Sequence, residues 1–111
     1  MSLETTRLWG FLGEEASKYR ILAERWNDTN KTAVLELAAE TLESLANEVL
    51  DGRVRQSNVE NLARLARLLR SFGLPYKRLL IVRRIMLKYV EIVPDNIFTL
   101  NSAFEPIGLP A

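Results

Sequence analysis

The sequence contains no cysteine and no histidine. Without cysteine there is no disulfide framework and no thiolate nucleophile. Without histidine the commonest general base and the commonest metal ligand are missing, and the usual zinc sites go with them. A nucleophilic triad would have to run on lysine or a carboxylate as its base. No nucleotide motif is present. The pair Gly10-x-x-Gly13 follows no strand-like run and precedes no Lys-Ser or Lys-Thr step, so it does not read as a phosphate loop. These absences point to a non-catalytic protein with no catalytic residues, no cofactor and no metal.

A long uninterrupted apolar run is missing too. The most apolar stretch, residues 74–93, carries six charges: Lys77, Arg78, Arg83, Arg84, Lys88 and Glu91. Each would cost roughly 2.5 kcal/mol or more at the middle of a bilayer, which argues against a membrane span. The first residues, MSLETTRLW, are polar and lack the apolar segment of a secretory leader, so a cytoplasmic location is expected.

What is present is helical periodicity. A chain of 111 residues with 48% apolar and 26% charged side chains has ordinary globular composition and room for one domain. Apolar residues at three- and four-residue steps predict four main helices, at about 4–26, 31–50, 57–72 and 75–92. The expected fold class is all-α, a small four-helix bundle spanning 1–111 as a single domain. In it the last helix is central and apolar, and residues 93–111 form an irregular, proline-containing tail.

Local signals set the boundaries. Ser2 is a candidate N-cap for the first helix, with Glu4 in its first turn. Two glycines inside that helix, Gly10 and Gly13, each cost about 0.8–1 kcal/mol relative to alanine, which suggests a neighbour approaching the backbone closely. Asn27-Asp28-Thr29-Asn30 is a capping loop, and Gly52 ends the second helix. Ser57-Asn58-Val59-Glu60 fits a capping box for the third, and Gly73 ends it. Pro75 is expected at the first position of the fourth helix, where its missing N–H costs nothing. The predicted core is Leu12, Tyr19, Trp26, Leu35, Leu42, Leu45, Leu65, Leu69, Leu79, Val82, Ile85, Met86 and Tyr89.

Charge is distributed unevenly. Residues 1–52 hold five Lys/Arg and ten Asp/Glu, a balance of −5, whereas residues 53–111 hold ten and four, a balance of +6. On the second helix Glu36, Glu40 and Glu43 form a file, read as a solvated face because no histidine completes a bundle metal site. In the basic half, Arg64, Arg67, Arg70, Lys77, Arg78, Arg84 and Lys88 lie on two helices joined by a tight glycine-containing link. They are the candidate nucleic-acid contacts, a helix-turn-helix-like pair over residues 57–92 that would touch phosphates. Against base readout, the fourth helix is mostly apolar and reads as core.

The leading expectation from the sequence is different: a non-catalytic helical interaction module with a protein partner or itself as partner, either a small subunit of a larger complex or a homodimer. It rests on surplus apolar surface, both on the fourth helix and in the tail, where Phe98, Leu100, Phe104 and Ile107 are the candidate partner-binding residues.

Overall fold

The structure is a computed structural model that describes residues 2–92, with the backbone alone for 91 and 92. It contains four α-helices and, among the described residues, no strand. The tail residues Phe98, Leu100, Phe104 and Ile107 lie outside the described residues.

The first helix, α1, runs Leu3–Glu24. Ser2 caps it as expected, its Oγ accepting from the Thr5 N–H at 3.1 Å. Leu8, Leu12, Ala16, Tyr19 and Ala23 form one buried stripe, joined by a charged residue, Glu15. The helix closes before Trp26, so the indole leaves the stripe and is 40% exposed rather than core. The Lys31 ammonium sits 4.3 Å from its ring centroid, a cation–π contact that suits a half-wet indole. The close approach expected at Gly10 and Gly13 is absent, because a Cβ at either position would meet nothing within 4 Å.

The second helix, α2, runs Thr29–Asp51. Asp28 caps it, Oδ1 accepting from the Asn30 and Lys31 N–H groups at 2.9 and 3.1 Å, so the helix opens two residues earlier than its apolar periodicity indicates. Gly52 ends it with φ +72°, the left-handed conformation that glycine adopts without a Cβ clash. Val34, Leu35, Ala38, Ala39, Leu42, Leu45, Ala46 and Val49 are buried, the largest set from any helix.

The third helix, α3, runs Gln56–Ser71, and the expected capping box does not form. The helix starts at Gln56 with Arg55 as N-cap, and no side chain of its own caps it. Glu48 of α2 takes that role: its Oε1 accepts from the Arg55 N–H at 2.9 Å and its Oε2 from the Asn58 amide. Glu60 is drawn away to Arg83 of the fourth helix. Val59, Leu62, Leu65, Ala66 and Leu69 are buried.

The fourth helix, α4, runs Lys77–Ile92. Pro75 precedes it by two residues instead of occupying its first position. Leu79, Val82 and Met86 are fully buried, while Ile85, Leu87, Tyr89 and Val90 pack against the core with partial exposure. The cover is less complete than the apolar content suggests: Leu80 and Ile81 stand 41% and 45% exposed.

The helices pack in order, α1 on α2 most extensively, then α2 on α3 and α3 on α4. The ring closes through α1 and the start of α4, where Glu15 meets Arg78 and the Tyr19 hydroxyl donates to the Pro75 carbonyl at 3.4 Å. Thus α2 and α4 each touch both α1 and α3, α4 reaching α1 near its first turn. No helix among the described residues is long and apolar enough to cross a membrane.

Candidate interaction surface

The buried stripe of α4 determines what the helix shows outside. With Leu79, Val82 and Met86 turned inward, the opposite arc carries Lys77, Leu80, Ile81, Arg84 and Lys88, all exposed. No carboxylate occurs between Lys77 and Val90. Lys77, Arg84 and Lys88 take part in no ion pair among the described residues. This is a band of cations interrupted by two large apolar side chains.

The outer side of α3 extends it. Arg64 is exposed and donates to Asn61 Oδ1 at 3.3 Å. It rims an open groove of about 300 Å³ between α2 and α3, floored by Leu37, Leu65 and Leu68. Arg67 is exposed, and the Arg70 guanidinium lies 5.8 Å from the Tyr76 ring centroid. Of the seven cations singled out by sequence, six are exposed and have no ion pair among the described residues.

Arg78 is the exception. Its Nε donates to Glu15 Oε1 at 3.1 Å and its Nη2 to Oε2 at 2.6 Å, a two-pronged pair from the first turn of α4 to α1. Lys18 adds a third contact at 3.0 Å. Glu15 is 2% exposed. Its hydrogen bonds to Arg78 hold the carboxyl below its usual range, against the upward push of burial, with Lys18 assisting. The Arg78 guanidinium is shifted up correspondingly. Arg78 therefore ties α4 to α1, while its side chain stays about half exposed. Arg83, on the other flank of α4, is likewise engaged, with Nε and Nη2 donating to Glu60 Oε1 at 3.1 and 2.8 Å.

The sequence reasoning missed Glu15, although a signal was there. Glu15 falls three residues after Leu12 and four before Tyr19, on the buried stripe of α1. A carboxylate at such a position needs a cationic partner, since an isolated buried charge is very costly. Beside it, the Tyr19 phenol is pushed up to about 12 by burial and by the Glu15 charge.

On α2, Glu36, Glu40 and Glu43 are exposed to solvent. Glu43 is paired with Arg20 of α1 through two contacts of 2.6 and 3.0 Å, while Glu36 and Glu40 enter no hydrogen bond or ion pair among the described residues. No group of three or more acidic side chains among the described residues converges closely enough to hold a metal ion.

No protein family matches this sequence, and no characterised protein or solved structure is similar enough to it to carry a function across.

Proposed function

We propose that this chain is a non-catalytic helical interaction module that docks an acidic protein surface on the outer face of α4, with α3 contributing cations at its edge. The observation that carries the reading is the placement of Leu80 and Ile81, 41% and 45% exposed, inside the arc of Lys77, Arg84 and Lys88. Apolar side chains held in water beside cations that have no ion pair among the described residues suit a partner that offers both carboxylates and apolar contact. The absence of histidine and cysteine supports the non-catalytic part of the reading. The reading is of a cytoplasmic protein, in keeping with a chain that lacks cysteine.

The alternative, contact with nucleic-acid phosphates through residues 57–92, draws on the same six exposed cations. Phosphates reward charge but gain nothing from Leu80 and Ile81, and Arg78 and Arg83 are already spent on Glu15 and Glu60. The experiment is a fluorescence titration of the chain with a labelled helical peptide of alternating Glu and Leu faces, and in parallel with single- and double-stranded oligonucleotides. Wild type is compared with Leu80→Asn/Ile81→Asn at low and moderate salt. The module reading expects peptide binding that the double substitution weakens. Oligonucleotide binding that ignores the substitution, with no peptide binding, overturns it.

A further inference from the structure

Resting on that reading, we infer that the acidic surface docked by α4 is the outer face of α2 on a second copy of this chain. The two files match in spacing. On α2, Glu36, Glu40 and Asn47 follow one another at steps of four and seven residues; on α4, read backwards, Lys88, Arg84 and Lys77 do the same. With a rise of about 1.5 Å per residue, both sets span about 6 Å and then about 10 Å along one helical face. Laid antiparallel, Glu36 meets Lys88, Glu40 meets Arg84 and the Asn47 amide oxygen meets Lys77. All six side chains are exposed in the monomer. Each file also has an exposed aliphatic neighbour, Leu37 on α2 and Leu80 and Ile81 on α4, so the contact has an apolar component as well as a charged one.

The uneven charge of the sequence thereby acquires a spatial meaning. The acidic first half and the basic second half place their exposed files on two different helices, α2 and α4, which make no extensive contact with each other. Two copies that dock α2 on α4 leave one free file of each kind. The association is head-to-tail, and it continues into a ring or an open chain instead of stopping at a two-fold dimer.

Two variants of the full chain test this. Glu36→Gln/Glu40→Gln blunts only the acidic file, and Arg84→Gln/Lys88→Gln only the basic one. None of these four side chains holds the fold together through a described ion pair, and circular dichroism verifies that both variants remain folded. Sedimentation velocity across a concentration series is run at low and moderate salt. Wild type is expected to exceed dimer mass as concentration rises at low salt and to fall back as salt screens the pairs. Each variant alone should associate about tenfold more weakly, as the loss of two exposed pairs implies. An equimolar mixture of the two should recover a dimer that grows no further, since one intact interface remains. A wild type that stays monomeric, or a mixture that fails to recover the dimer, overturns the inference. Peptide binding to α4 would then still stand as the broader reading. Oligonucleotide binding that is lost with Arg84 and Lys88 but is indifferent to Glu36 and Glu40 overturns both.

Discussion

Glu15 is the one charged side chain buried among the described residues. It is 2% exposed, and three donor groups converge on it: two from Arg78 and one from Lys18. Glutamine in its place keeps the volume but removes the charge, so Arg78 and Lys18 lose a charged acceptor. A hydrogen bond to a charged group contributes about 1.5–3 kcal/mol, and breaking a fully buried ion pair costs about 3–5 kcal/mol. Here both cations are more than half exposed and recover water when released, so Glu15→Gln should cost about 1.5–3 kcal/mol, the lower of those ranges. Removing the other partner is worse. Arg78→Met leaves the carboxylate buried with Lys18 alone and should destabilise more than Glu15→Gln at neutral pH.

The two variants also separate by pH. In the wild type the Glu15 pKa is lowered by the Arg78 contacts. Its contribution to stability is therefore complete above the ordinary carboxylate value of 4.5 and is lost as pH falls below it, through the folded-state pKa. In Arg78→Met burial pushes the carboxyl up, and protonation relieves the buried charge. The deficit of that variant relative to wild type should shrink as pH falls from neutral to about 3. The assay is urea denaturation followed by far-UV circular dichroism, which leaves ion pairs unscreened, with constant slope as the control for two-state behaviour. A stability of Arg78→Met equal to wild type at neutral pH, or a deficit unchanged by acid, would refute the assignment of Arg78 as the partner that keeps Glu15 charged.

Other consequences are more local. Gly10→Ala and Gly13→Ala should each raise stability by about 0.5–1 kcal/mol, because both sites are helical and a Cβ meets nothing within 4 Å; a loss in the same urea assay would show a close contact there after all. Tyr19 should resist ionisation until about pH 12. Its raised pKa adds stability that is complete below the unfolded value near 10 and is lost between about 10 and 12, roughly 2–3 kcal/mol in all, which ultraviolet difference titration of wild type against Tyr19→Phe reads directly. Glu48→Ala should cost about 1–2 kcal/mol through the lost cap of α3, with early amide exchange at residues 55–58, whereas Ser57→Ala should cost almost nothing because Ser57 caps no helix.

Most of the fold was legible because it depends on periodicity. Leu12, Tyr19, Leu35, Leu42, Leu45, Leu65, Leu69, Leu79, Val82 and Met86 are buried where a three- and four-residue repeat places them. Ser2, Asp28, Gly52 and Gly73 act within one turn of themselves, so their neighbours in sequence were enough to identify them. Trp26 turned outward because α1 ends at Glu24, short of it, and Ile85 and Tyr89 are only partly covered because they lie to one side of the stripe set by Leu79, Val82 and Met86. The capping box at Ser57 failed for a different reason: the helix already begins at Gln56, Glu48 from α2 holds the Arg55 N–H and the Asn58 side chain, and Glu60 found Arg83.

By itself, then, the order of residues determined which stretches coil, which side of each coil is oily, and that acid gathers in one half and base in the other. Tertiary structure alone decided the pairing of charges far apart along the chain. Arg78 became a bolt to Glu15, 63 residues away, while Lys77, one position earlier, was left outside. The physical reason is that a helix repeats every 3.6 residues, so one step turns a side chain by about 100°; whether it then meets a carboxylate or water depends on which other helix stands there.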